Sequence, residues 1–210
     1  MIIKPNMTIL FQGDSITDCG RDRENSECLG AGYPHFIAAA LRAEFPTYRL
    51  NFINRGISGN TSAQMLDRWE EDCIALKPDL LSVLIGVNDT WRRYDVAQTL
   101  TTAQQYENNY RAALTRVRET LGNIPIVILE PFLLPFTEDK QHWREDLDPR
   151  LHVARKLAKE FNATYIPLDG LFAQQAIASD YKIWSADGVH PTDAGHMLIT
   201  ENWLNAVLED

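Results

Sequence analysis

Short apolar runs recur along the chain at Thr8–Phe11, Leu50–Ile53, Leu80–Ile85, Ile124–Leu129 and Tyr165–Leu168, each rich in branched or aromatic residues and bounded by turn formers. Runs of this length and composition predict five buried strands. Between and after them lie longer segments whose apolar residues return at helical spacing, at Tyr33–Phe45, Ser62–Leu76, Ala103–Thr120, Leu151–Phe161 and Thr192 to Leu208. In the second of these, Met65, Trp69 and Cys73 stand four residues apart, which puts them on one core-facing stripe. Strand and helix alternate throughout, and that order predicts a parallel sheet covered by helices on both faces, a three-layer α/β/α fold. The stretch from Pro131 to Arg144 shows no period and is expected to be a long loop. In open sheets of this kind ligands bind beyond the carboxyl ends of the strands, so motifs that follow a strand gain weight.

With 210 residues, 45% of them hydrophobic, the chain suits one domain spanning residues 1–210 with one sizeable core. Its 29 acidic against 20 basic residues give a formal charge of −9, which disfavours nucleic acid and anionic lipid as partners and favours a neutral substrate. No run approaches the roughly 18 consecutive apolar residues of a membrane span, and the opening MIIKPNMTILFQGDS lacks the form of a signal peptide. Three cysteines, Cys19, Cys28 and Cys73, without paired close spacing, suit reduced thiols in the cytoplasm.

Three motifs follow strands. The first strand opens into Gly13-Asp14-Ser15-Ile16-Thr17, where a serine on a rigid turn exposes its hydroxyl as a nucleophile needs. Thr17 stands where a G-x-S-x-G elbow would have its second glycine, which argues against the α/β-hydrolase pattern. The second strand is followed by Asn54-Arg55-Gly56-Ile57-Ser58-Gly59-Asn60-Thr61 and the third by Gly86-Val87-Asn88-Asp89, both able to aim N–H donors at an oxyanion. Near the end of the chain stands Asp187-Gly188-Val189-His190-Pro191, in which an aspartate can orient an imidazole three residues on. Taken singly, each block also reads as a cap or an ordinary turn. Asp187 and His190 are metal-ligand types as well, but two ligands without a third make a thin metal site.

In this order and spacing, GDSIT, GISGN, IGVND and DGVHP resemble the blocks of the SGNH (GDSL-type) hydrolase family over nearly the whole chain. The resemblance implies a five-stranded, flavodoxin-like sheet. It also implies Ser15 as nucleophile, His190 as general base and acid, and Asp187 as its orienter. The Ser15 and Gly56 N–H groups and the Asn88 amide would be the oxyanion donors, with no metal or cofactor. The longer strings GDSITDCGR, NRGISGNT, RWEEDCIALKPD and VNDTWRRYD are similar to microbial carbohydrate acetylesterases, acetyl xylan esterases among them. That likeness implies an acetylated sugar as substrate and a homo-oligomer. Asp14, Trp91 and Trp184 are candidates for the substrate wall, the tryptophans because an aromatic face packs against a sugar ring. The competing readings are a lysophospholipase, thioesterase or arylesterase of the same family, a non-catalytic carbohydrate-binding protein and a metal-dependent deacetylase.

Overall fold

A computed structural model describes residues 1–96 and 98–209. Five strands, β1 (Thr8–Gly13), β2 (Asn51–Asn54), β3 (Leu80–Leu84), β4 (Ile126–Leu129) and β5 (Thr164–Ile166), form one sheet in the order β2-β1-β3-β4-β5. Every pairing is parallel. Side chains alternate across the sheet as strand geometry requires. Ile9, Phe11, Leu80 and Leu84 enter one core, and Leu10, Leu81, Val83 and Ile126 enter the other. Burying each such aliphatic or Phe side chain contributes about 1.5–3 kcal/mol. Ser82 would be an unsatisfied hydroxyl within β3, but the buried Trp203 indole donates to its Oγ at 3.0 Å.

Helices α1 (Ser15–Asp18), α2 (Tyr33–Glu44), α3 (Ser62–Asp67), α4 (Trp69–Asp72), α5 (Val87–Tyr94), α6 (Ala103–Leu121), α7 (Glu138–Glu160), α8 (Leu168–Ala178) and α9 (Asp193–Leu208) complete the fold. Tyr33, Ile37 and Leu41 of α2 pack with Ile199 and Trp203 of α9 in the first core. Met65, Tyr110, Leu114, Val117 and Leu157, from α3, α6 and α7, lie in the second. The Met65–Trp69–Cys73 stripe is buried as its spacing predicts. Its helix, however, is broken at Arg68, whose guanidinium reaches the carbonyls of Gly13 and Arg55 and the side chain of Asn60.

Two further expectations are corrected. Only Pro131–Thr137 of the expected loop is irregular, because α7 begins at Glu138 and runs through Pro149. Proline ordinarily breaks or kinks a helix; here Trp143, Leu147 and Leu151, four apart, are all buried and offset that cost. Leu168 belongs not to β5 but to the first turn of α8, where Leu168 and Phe172 anchor the helix and Phe172 stacks on Phe132 at 3.9 Å.

The chain passes from β1 to one neighbour, β2, and then crosses back to β3 on the other side of β1. The loops after β1 and β3 therefore diverge and leave a crevice at the switch point, where ligands of such sheets bind.

Candidate active site

Ser15 sits at the mouth of that crevice. A Cβ on Gly13, the last residue of β1, would stand 2.3 Å from both the Leu84 carbonyl oxygen and Thr17 Oγ1, so only glycine lets the strand end this close to β3. Asp14 then caps the single turn α1, its Oδ1 accepting the Ile16 N–H at 3.0 Å. Ser15 follows at the first helical position, half-buried, and its own N–H has no protein acceptor among the described residues.

His190 Nε2 lies 3.0 Å from Ser15 Oγ, and His190 Nδ1 lies 2.8 Å from Asp187 Oδ2. Asp187 Oδ1 accepts the N–H groups of Val189 and His190 at 2.9 and 2.8 Å. The loop is closed below by Ser185, which accepts the Gly188 N–H and donates to the His190 carbonyl. With Nδ1–H donated to Asp187, Nε2 is left to accept the Ser15 proton. Burial pushes the Asp187 carboxyl up, but the hydrogen bonds from the His190 ring and from two backbone N–H groups outweigh it and hold it well below the usual carboxylate range. The Asp187 hydrogen bond raises the His190 imidazole above its ordinary value, against the opposing effect of burial. Gly188 takes φ +90°, and a Cβ there would meet the Leu134 carbonyl oxygen at 2.3 Å, so the spacer in this loop must be glycine.

Gly56 does not present the expected donor. Its N–H is spent on Asn54 Oδ1 at 2.8 Å, its carbonyl accepts from Arg21 Nε, and a Cβ would stand 2.3 Å from the Asp18 nitrogen. Gly56 is thus a packing residue that seats the loop after β2 on α1. Asn54, two residues before it, accepts that N–H in an Asx-turn; an asparagine at this spacing makes such a bond available, and the structure shows it formed. Gly59, at φ +82° and half-buried, keeps an N–H that meets no protein acceptor among the described residues. The next residue, Asn60, accepts Asn88 Nδ2 on its carbonyl at 3.2 Å, so Gly59 and Asn88 belong to one wall of the crevice. Asn88 is held there because α5 starts directly after β3.

Of the three candidates for the substrate wall, Trp91 alone has its ring against the histidine, with centroids 5.7 Å apart. Asp14 is not a substrate contact, since it is 1% exposed with Oδ2 buried and unpartnered, and burial pushes its carboxyl up to about 7. Trp184 is turned the other way, its indole N–H donating to Ser179 Oγ at 2.7 Å at the end of α8. Two residues not singled out from the sequence join the site from α7: Trp143, 5.2 Å from Trp91, and Lys140, whose ammonium donates to the Asp187 carbonyl. Both lie in the stretch expected to be a loop.

A GDSL-like lipase/acylhydrolase family model matches residues 11–198. The chain is 36% identical over 206 residues to an acetylxylan esterase of Geobacillus stearothermophilus, covering 95% of this chain and 93% of that protein. The crystal structure of Axe2, an acetylxylan esterase from the same organism, superposes with a TM-score of 0.91 at 33% identity over 100% of this chain and 98% of that one. More distantly, thioesterase 1/protease 1/lysophospholipase L1 of Escherichia coli K12 is 25% identical over 96% of this chain and 83% of its own length. A family match across most of the chain, a relative of this identity and a shared fold leave one assignment: the chain belongs to the GDSL-like lipase/acylhydrolase family and is a carboxylic ester hydrolase.

Proposed function

We propose that this protein is a serine esterase that removes acetyl groups from acetylated xylo-oligosaccharides or related sugars, with Ser15, His190 and Asp187 as its triad. The observation that carries this reading is the unbroken relay from Ser15 Oγ through the His190 ring to Asp187, at 3.0 and 2.8 Å. The 36% identity to an acetylxylan esterase supports the choice of substrate. Structures of catalytic mutants of Axe2, altered at one serine, one aspartate or one histidine, have TM-scores of 0.90 to 0.91 against this chain.

In this mechanism His190 Nε2 takes the Ser15 proton as Oγ attacks the ester carbonyl carbon. The carbonyl oxygen becomes an oxyanion, met by the N–H groups of Ser15 and Gly59 and by the Asn88 amide. When the tetrahedral intermediate collapses, the bond to the sugar oxygen breaks and that oxygen takes the proton from His190. Water then gives a proton to the same Nε2 and attacks acetyl-Ser15; as the second tetrahedral intermediate collapses, the bond from Ser15 Oγ to the acyl carbon breaks, Oγ takes the proton back from His190, and acetic acid leaves and ionises to acetate. Asp187 stays ionised throughout and stabilises the imidazolium. The relay requires no metal or cofactor.

Trp91 beside His190 closes one side of the site, which favours a short acyl group and gives a sugar ring an aromatic face. With acyl xylosides of increasing length, kcat/KM is expected to be highest for acetate and to fall as methylenes are added, each worth roughly 1–3 kcal/mol of discrimination. Rates that rise toward long acyl chains would move the protein to the lysophospholipase or thioesterase class.

The same reading places the protein in the cytoplasm as a homo-oligomer. Its cysteines are free thiols, as a reducing compartment keeps them. Ile177 and Ile183 are exposed large hydrophobics of the kind a second copy would cover. Light scattering that returns a monomer mass at micromolar concentration would remove the oligomer from this reading.

A further inference from the structure

Lys140 lies in the first turn of α7, half-buried, and its side chain runs over the catalytic loop. Its ammonium donates to the Asp187 carbonyl, and its stem lies beside Gly188, where a Cβ would come within 3.5 Å of Lys140 Cδ. The preceding segment is joined to the same loop, since the Leu134 N–H donates to the Gly188 carbonyl at 2.8 Å. The Lys140 ammonium also stands 5.8 Å from the centroid of the Trp143 ring. Trp143 packs on Trp91 at 5.2 Å, and Trp91 packs on His190 at 5.7 Å. These contacts close a ring around the histidine, running from Lys140 through Trp143 and Trp91 to His190 and back through Asp187.

We infer that Lys140 is a positioning residue for the Asp187–His190 pair, holding the loop by its main chain and placing a cation beside the imidazole. The inference rests on the triad reading above. Two physical effects follow. A hydrogen bond from a charged donor is stronger than a neutral one, and it fixes the peptide that precedes Gly188, whose open backbone would otherwise leave the loop free to pivot. The charge also opposes protonation of His190, against the two carboxylates that favour it. The charged and titratable groups that act on the ring are Asp187 on its own loop, Asp14 at the cap of α1, Lys140 on α7 and His196 on α9. Lys140 is the lone lysine or arginine among them.

The test measures kcat and KM against pH on an acetylated xyloside for wild type, Lys140→Met and Lys140→Gln, with Ser15→Ala alongside and a thermal melt of each. Loss of positioning is expected to lower kcat of Lys140→Met about 10- to 100-fold with KM little changed, because the Lys140 ammonium is engaged by the Asp187 carbonyl. Lys140→Gln, which keeps a donor, is expected to lose less. In both variants the acid limb of the kcat profile moves to higher pH, since the imidazole is protonated more readily once the cation is gone. An acid limb at the wild-type position in both variants, or a loss confined to KM, would overturn the inference. Activity surviving in Ser15→Ala would instead overturn the triad reading, so the two failures are distinguishable.

Discussion

Ser15→Ala is expected to lower kcat for ester hydrolysis by about 10⁵- to 10⁶-fold and to leave the fold intact. The size of the loss follows from the relay, in which removing the nucleophile makes the other members useless as a unit. The fold is spared for a local reason. Ser15 Oγ is bonded to His190 Nε2, while the cap of α1 is made by Asp14. Half-buried and small, the hydroxyl leaves no cavity worth more than a fraction of the total stability. Steady-state rates on an acetylated sugar together with a thermal melt separate the two effects. A folded variant within tenfold of wild type would place the nucleophile elsewhere.

Asp187→Asn is expected to cost on the order of 10⁴-fold in kcat. The carboxylate accepts from His190 Nδ1 at 2.8 Å and from two N–H groups of its own loop. An asparagine there no longer selects the tautomer with Nδ1 protonated, and Nε2 then carries a proton where it must accept one. The pH dependence follows in sign. His190 works as a base only when neutral, so activity rises with pH through its titration. In the wild type the bond to Asp187 raises that titration above the ordinary imidazole value of about 6.5. Without the carboxylate, burial of the ring acts with less opposition and pulls the titration down. The acid limb of the residual activity should therefore lie at lower pH than in the wild type, opposite to the displacement expected for Lys140→Met. An unchanged limb would mean that Asp187 does not set the protonation of His190.

Much of this architecture is legible in the amino-acid order because the strands are buried on both faces. Phe11, Val83 and Ile128 belong to continuous apolar runs, and such runs have few other uses in an α/β chain. Helix α8 is harder to see, since Leu171, Ala173, Ala176 and Ile177 spread apolar character around it and leave no clear stripe. The start of α7 is hidden for a different reason: Pro149 is a helix-breaking signal, and its cost is offset by tertiary burial of Trp143 and Leu147 that no local window contains.

The chemistry divides in the same way. Asp187 and His190 are three residues apart on one turn, so their hydrogen bond is a local matter that spacing can suggest. Choosing between Gly56 and Gly59 requires knowing where Asn54 Oδ1 points, which is a question of side-chain geometry. Trp184 lies close to His190 in sequence but is drawn to Ser179, whereas Trp143, 47 residues before His190, reaches the site by way of Trp91. Proximity in sequence finds Trp91, which closely follows Asn88, but not Trp143, and it misplaces Trp184, because helices from separate crossovers meet beside His190.

The proposed acetylesterase mechanism stands on Ser15 as the acyl-accepting nucleophile. Its most direct test is to inactivate the wild-type protein with an organophosphonate ester, follow acetate release from a peracetylated xyloside, and map the adduct by peptide mass spectrometry. One adduct on the peptide carrying Ser15, formed in proportion to the loss of acetate release, is the predicted result. Undiminished acetate release, or inactivation that tracks an adduct on any other residue, would contradict it.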